Sequence, residues 1–297
     1  DELRRLNPGL IYCEVSGFGR TGPYAHRGGF DLIAQGMSGL MSITGEAPGR
    51  QPVKVGAPIS DITAGIVAAM GVSAAYAHKL RTGQGQKVDT SLFEAAITHT
   101  YWQSAIAFAT GESPQAMGSA HPLNAPYQAF QTTDGWINIG AANQANWERM
   151  LGFLGAEHLN DDPRFSSNAV RIENRVALAE TLSKIFRQHS TAHWLEEFEK
   201  AGVPAGPVLS VTEMHSNPQA LAREMIVSTE HPVSGNVKTI GHPVKFSETP
   251  GGVIRPAPLM GQHTAEVLRE VGYSDRDIAS MAKTGAVKLA GEPPQSA

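Results

Sequence analysis

The residues with the clearest chemical potential are an aspartate and a pair of glycines placed where helices begin. Ser60-Asp61 precedes a long stretch from Ile62 to Leu80 made largely of Ala, Gly, Val and Met. At such a helix start, free backbone N–H groups and the helix dipole keep a carboxylate ionised and can stabilise an oxyanion. Asp is also a favoured N-cap, and on these residues alone capping is the commoner reason for its presence. Upstream, Arg27-Gly28-Gly29-Phe30 sets two adjacent glycines before another helical stretch. Without Cβ atoms, backbone amides there can approach a ligand closely. A plain loop leading into a helix is the alternative.

Other site chemistries find little support. There is no GxxxxGK[ST] phosphate cradle and no GxSxG elbow. Gly17-Phe18-Gly19 begins like a dinucleotide fingerprint, but Gly22 is followed by Pro23 and the loop does not open a helix as that motif demands. The 11 histidines are scattered, without HExxH or cysteine partners, so no metal site is expected. The one cysteine, Cys13, lies in the apolar run Leu10-Ile11-Tyr12-Cys13 and is expected to be a buried strand residue. A single cysteine allows no internal disulfide and fits a reducing, cytoplasm-like compartment.

The elements that must position these residues differ along the chain. Residues 1–110 alternate strand and helix: a short apolar run at 9–15, a helix from Phe30 to Leu40 with Leu32, Ile33 and Gly36 inward, the helix from Ile62, a strand near Lys87-Val88-Asp89, and a helix from Ser91 to Ala109. That alternation predicts an α/β layer with a mainly parallel sheet. The small residues of the Ile62 helix imply close packing against another backbone element. Residues 111–225 read as a linker and a second unit, with a hairpin, Tyr127–Thr132 and Trp136–Gly140, around Asp134-Gly135. Helices at 143–154, 175–187 and 192–201 follow, then an extended Val203–Val208 held open by Pro204 and Pro207. Residues 226–297 have strand-like patches, a last helix near Thr264–Val271, and a Pro-containing tail, 291–297, expected to lack fixed structure.

Hydrophobic residues make up 41% of the 297 and charged residues 18%, which is ordinary for a globular protein. A net charge of −4 gives no electrostatic case for nucleic acid or an anionic membrane surface as partner. No apolar run approaches the roughly 20 residues a bilayer crossing needs. The start, Asp1-Glu2-Leu3-Arg4-Arg5, has no signal-peptide pattern and no initiator Met, so the chain is expected to be a piece of a longer one.

Six ordered blocks then carry a resemblance. They are Ser16-Gly17-Phe18-Gly19 through Arg27-Gly28-Gly29-Phe30-Asp31; Ser60-Asp61-Ile62-Thr63-Ala64-Gly65 with Arg81-Thr82-Gly83-Gln84-Gly85-Gln86-Lys87-Val88-Asp89; Gly118-Ser119-Ala120-His121-Pro122; Ala125-Pro126-Tyr127-Gln128-Ala129-Phe130; Gly202-Val203-Pro204-Ala205-Gly206-Pro207; and Leu259-Met260-Gly261-Gln262-His263-Thr264. Together they resemble the class III CoA-transferase family, which includes formyl-CoA transferase, carnitine-pathway CoA-transferases and, as a divergent relative, α-methylacyl-CoA racemase. The GSAHP and PYQAF blocks look more like the branch that uses dicarboxylic acids such as succinate and glutarate.

The resemblance implies a doubly wound, Rossmann-like, mainly parallel sheet whose N-terminal strands are missing from this chain, plus a smaller α+β domain. It implies residues 1–110 as the large-domain part, 111–225 as linker and small domain, and 226–297 as a return linker and C-terminal segment packing back on the large domain. Asp61 matches the nucleophile, Arg27-Gly28-Gly29-Phe30 the segment along the CoA arm, and Gly118-Ser119-Ala120-His121 the active-site lid and acid-binding region. His121 is equally readable as a carboxylate ligand or as a satisfied loop residue. Arg171 and Arg175 could meet a distal carboxylate, although helix arginines more often face solvent. The implied substrates are an acyl-CoA thioester and a carboxylic acid, with no permanently bound cofactor, and the implied assembly is an interlocked homodimer. Phe30 stands where the racemase branch carries a proton-transferring histidine and formyl-CoA transferase a tyrosine, and phenylalanine moves no proton. Racemisation, or a truncated homologue without activity, are the competing readings.

Overall fold

A short N-terminal helix, α1 (Glu2–Leu6), leads into strand β1 (Tyr12–Ser16) in a computed structural model that describes residues 2–291. The expectation for the tail falls almost wholly on residues 292–297, outside the described ones. The chain forms two units, Asp1–Val208 and Leu209–Ala297.

In the first unit, helix α2 (Asp31–Met37) follows the turn after β1, and α3 (Leu40–Ile43) follows α2. Gly39 breaks the two apart with φ +86°, so the single helix expected from Phe30 to Leu40 is interrupted. Its inner face also differs from the expectation: Ala34 and Gln35 are buried, whereas Leu32 and Ile33 are exposed. The long helix α4 spans Ile59–Thr82 and stops at Gly83, whose left-handed backbone returns its N–H to the Lys79 carbonyl at 2.8 Å. Strand β2 (Lys87–Ser91) then pairs in parallel with β1, Cys13 opposite Val88. Helix α5 (Leu92–Thr98) starts on Ser91, whose Oγ accepts the Glu94 N–H at 3.2 Å. A separate α6 (Tyr101–Thr110) follows where one helix was expected. At the break, the Thr98 and Thr100 hydroxyls bond the carbonyls of Ala95 and Ile97, competing with helix continuation.

Small residues let α4 press on the strands, as its composition implied. A Cβ on Gly71 would stand 2.7 Å from Val88 Cγ1, inside any tolerable contact. Gly71→Val is therefore expected to cost about 1–3 kcal/mol by overpacking, measurable as a lowered urea midpoint with unchanged slope. Parallel pairing among the described residues is confined to β1 and β2. With no further strand beside the pair, Cys13 is exposed, which corrects its assignment to the interior. At 24 residues, α4 is long and apolar enough to cross a bilayer by length and composition, exceeding the interrupted run read from sequence. It packs against β1, β2, α2 and α5.

Residues 111–126 hold no regular element. The hairpin then forms as read, β3 (Tyr127–Gln131) antiparallel to β4 (Trp136–Gly140). Helices α7 (Gln144–Leu154), α8 (Asn168–Glu173), α9 (Arg175–Phe186) and α10 (Thr191–Ala201) follow, with a one-turn 3-10 segment at Glu157–Asn160. Asn143, Ser167 and Ser190 cap α7, α8 and α10 through their side chains. The two-proline connector supplies β5 (Ala205–Pro207), antiparallel to β4. Asp134 in the hairpin turn accepts the Thr191 N–H at 2.8 Å, tying the turn to the start of α10 and lowering the carboxyl's pKa. The apolar core of this part is built on Phe130, Ile137, Ile139, Trp147, Leu178, Leu182, Phe186 and Phe198. Trp147 and Trp194 are buried, whereas Trp102 and Trp136 are half exposed.

The second unit contains α11 (Val211–Met214), α12 (Pro218–Ala222), an antiparallel pair β6 (Ile226–His231) and β7 (Gly235–Ile240), then α13 (Thr264–Glu270) and α14 (Asp275–Lys283). Ser210 with Glu213 and Ser274 with Asp277 form reciprocal capping boxes at α11 and α14. The described residues are thus mixed α/β with small sheets.

Candidate active site

Asp61 sits in the first turn of α4, two residues after Ile59, and its side chain is exposed. The N-cap position belongs to Pro58, which has no side chain able to cap. The capping task is done from elsewhere: Asp31, the first residue of α2, accepts the Ser60 N–H on Oδ1 at 2.9 Å. Its Oδ2 accepts Gln35 Nε2 at 2.8 Å, and the buried Gln35 takes the Val55 N–H on Oε1 at 2.9 Å. This three-point frame fixes the start of α4 against α2 and the preceding loop. Among the described residues the Asp61 carboxylate has neither hydrogen bond nor ion pair. It stands free at the positive end of a 24-residue helix.

The segment before α2 comes to the same place. Gly29 packs on Gly17 so tightly that a Cβ on Gly29 would lie 2.7 Å from Gly17 Cα, and one on Gly17 2.8 Å from Gly29 Cα. These glycines are demanded by backbone-to-backbone contact. Gly28 faces open space, Arg27 lays its guanidinium 4.1 Å over the Tyr24 ring, and Phe30 is 80% exposed just ahead of Asp31. The chain from Arg27 to Asp31 thus runs up to the start of α4, with Phe30 presenting an exposed aromatic face.

Gly118 adopts φ +62° and donates its N–H to the Gly45 carbonyl at 2.9 Å, a conformation that favours glycine. Ser119 Oγ accepts the Ala129 N–H at 3.0 Å, fastening the loop to β3. His121 is set apart from Gly118-Ser119-Ala120. Its ring lies edge-on between Trp102 and Tyr127, 5.0 and 5.1 Å between centroids, and its Nδ1 accepts the Leu123 N–H at 3.0 Å. Burial lowers its pKa, and an accepting Nδ1 leaves the neutral ring's proton on Nε2. The loop at 117–120 borders a cavity of about 580 Å³, completed by Gln128, by Arg175, Glu180 and Lys184 of α9, and by Arg187 just past the helix. Three cations face one carboxylate in its lining.

Arg171, read as a solvent-facing helix charge or a carboxylate ligand, is neither. It is fully buried and donates from Nε to the Ala125 carbonyl at 2.8 Å, and from Nη1 to the Phe165 carbonyl at 2.9 Å and Gln144 Oε1 at 3.1 Å. Its guanidinium lies 4.8 Å from the Trp147 ring. With Asn168, which accepts the Ala125 N–H and donates to the Leu123 carbonyl, it clamps residues 123–125 to the core. Sequence reasoning also missed Asp31 and Gln35, whose spacing of four on one helix face was the available signal. Asp31→Ala is expected to destabilise the protein by about 0.5–2 kcal/mol through loss of the cap. Asp31→Asn should recover most of this, since an amide oxygen still accepts the Ser60 N–H; parallel urea titrations of the two variants check it.

The model of CoA-transferase family III matches residues 1–264, and the chain belongs to that family. Among similar proteins, a succinate–glutarate CoA-transferase of Agrobacterium fabrum is 37% identical over 276 residues, covering 93% of this chain and 69% of the relative. An acyl-CoA transferase of Fusarium pseudograminearum is 37% identical over 289 residues, 97% of this chain, which spans 63% of that relative's length. The crystal structure of a CAIB/BAIF family protein from Brucella suis superposes with a TM-score of 0.77 at 36% identity, covering 91% of this chain and 70% of that one.

Proposed function

We propose that this chain carries the catalytic carboxylate of an acyl-CoA:carboxylate CoA-transferase, with Asp61 as the nucleophile. The single observation supporting it most directly is that Asp31 caps the start of α4 in place of Asp61, which among the described residues stands unpaired. Names of relatives such as succinate–glutarate CoA-transferase support the reaction class and favour a dicarboxylic acceptor.

The chemistry explains the choice of a carboxylate. Asp61 attacks the thioester carbonyl, the C–S bond breaks, and CoA leaves as thiolate, giving a mixed anhydride as activated as the thioester. The thiolate attacks the aspartyl carbonyl of that anhydride, releasing the donor acid as carboxylate and leaving an aspartyl-CoA thioester. The acceptor carboxylate then attacks this thioester and expels the thiolate, and the thiolate attacks the acceptor's acyl carbonyl. A new acyl-CoA forms and Asp61 is regenerated, with no water and no net proton consumed. A serine would stop at an ordinary ester. N–H groups in the first turn of α4 would receive the developing negative charge. Phe30 offers no proton, which disfavours racemisation.

The same reading assigns Arg27, Gly28, Gly29 and Phe30 to the pantetheine arm and Gly118, Ser119, Ala120 and His121 to the acid. It takes β1 and β2 as part of a larger doubly wound sheet, because a lone parallel pair is not a stable layer. Residues 1–110, 111–225 and 226–297 are then large-domain part, linker with small domain, and return segment, in a cytoplasmic homodimer. To test the reading, the protein is incubated with succinyl-CoA and a panel of acids, treated with hydroxylamine, and mapped by mass spectrometry. Hydroxamate at Asp61 is expected; modification at another residue, or no CoA exchange with any acid, would overturn the assignment.

A further inference from the structure

We infer that Asp31 is a positioning residue for the transfer: through the Ser60 N–H it holds the first turn of α4 so that the Asp61 carboxylate meets the thioester carbonyl at the angle attack requires. The inference rests on the transferase reading and goes beyond it, since Asp31 acts through Ser60 rather than on the acyl group. Asp61 has no side-chain bond of its own to fix it among the described residues. Its neighbour's side chain does not supply one: Ser60 is fully buried and its Oγ has no hydrogen-bond partner. The connector before them does little to set a direction, because Gly56 faces open space and Pro58 has no N–H to donate. Among the described residues, the Ser60 N–H to Asp31 Oδ1 bond, 2.9 Å, is the one side-chain hydrogen bond that reaches residues 57–62 from another element. Past Asp61, Thr63 Oγ1 meets His99 Nε2 at 2.8 Å. The nucleophile thus stands free between two anchored residues, and the anchor on the backbone is Asp31.

Gln35 stiffens that anchor. It is buried, its Nε2 donates to Asp31 Oδ2 at 2.8 Å, and its Oε1 accepts the Val55 N–H at 2.9 Å. Residues 55 and 60, either side of the Gly56–Pro58 step, are therefore tied to two side chains one turn apart on α2. Every acceptor in this relay faces a donor, so Asp31 cannot turn away without stranding a partner. A misplacement of about 1 Å at a reacting group can cost about 10²-fold in rate. The cost falls on kcat when substrate still binds but attack is misdirected.

The test measures kcat and KM for CoA transfer from succinyl-CoA to glutarate, with a urea titration of each protein beside it. The unsubstituted protein is compared with Asp31→Ala, Asp31→Asn, Asp31→Asn combined with Gln35→Glu, and Ser190→Ala. The last removes a cap of similar worth from α10, where Ser190 Oγ accepts the His193 N–H, and is the control matched in stability. Asp31→Ala is expected to lower kcat about 10–100-fold, with KM for either substrate changed less than about threefold. Asp31→Asn keeps the acceptor for Ser60 but turns an amide N–H toward Gln35 Nε2, donor against donor, and should recover part of the rate. Adding Gln35→Glu gives that N–H an acceptor while still accepting from Val55, and should recover more. Ser190→Ala should lose stability and keep its kcat. A kcat for Asp31→Ala no lower than that of Ser190→Ala, a loss carried by KM alone, or no recovery in either Asn-bearing variant overturns the inference and leaves the transferase reading standing. No CoA exchange by the unsubstituted protein with any acid would overturn both.

Discussion

Replacing Asp61 with alanine is expected to lower CoA exchange by at least about 10⁴-fold, since the group that forms both covalent intermediates is gone. Asp61→Asn should be as inactive, because an amide cannot attack a thioester to give an anhydride. Both variants should stay folded. Among the described residues Asp61 has no side-chain partner to lose, and removing a negative charge from a helix's first turn costs about 0.3–1 kcal/mol. That pairing of outcomes separates nucleophile from cap. If Asp61 served the helix, substitution would cost stability at about the level expected for Asp31→Ala and leave exchange largely intact. Isotope exchange between labelled CoA and acyl-CoA, beside a thermal melt of each variant, reads both quantities. Residual exchange near the unsubstituted rate would contradict the role of Asp61.

The largest stability effect is expected at Arg171. Arg171→Leu leaves the Ala125 and Phe165 carbonyls and Gln144 Oε1 without their donor and opens space beside Trp147. Stranded acceptors cost about 1–3 kcal/mol apiece and an underfilled core adds to that, so a total loss of at least about 3 kcal/mol is expected. Arg171→Lys should be only a partial remedy, because a point-like ammonium cannot reproduce the planar fork that serves three acceptors. The loss should reach the loop as well, since residues 123–125 would keep only the Asn168 contacts. Denaturant unfolding gives the stability change, and amide exchange at Leu123 and Ala125 gives the loosening.

Local pattern made much of the small elements legible. The Asp134-Gly135 turn between two alternating runs gave the hairpin, and the apolar periodicity of 175–187 gave α9, with Leu178, Leu182 and Phe186 buried as that spacing requires. Small residues in α4 announced a close neighbour, and Gly71 against Val88 is that contact. The helix expected from Phe30 to Leu40 failed for a reason periodicity does not register: Gly39 takes up a left-handed backbone. Cys13 was placed inside because its neighbours are apolar, but apolar neighbours bury a strand only when something covers it.

Residue types, their order and the spacing of matched blocks determined the family and singled out the acidic side chain at 61. They left two choices open: His121 as carboxylate ligand or loop residue, and Arg171 and Arg175 as ligands or solvated charges. Tertiary contacts decided the partners of these groups. Asp31 reaches Ser60 across 29 positions and Arg171 reaches Ala125 across 46, and such pairings depend on how helices lie against one another. A chain's own propensities act over a turn or two, whereas the charge and hydrogen bonding at a site are set by whatever the fold brings beside it.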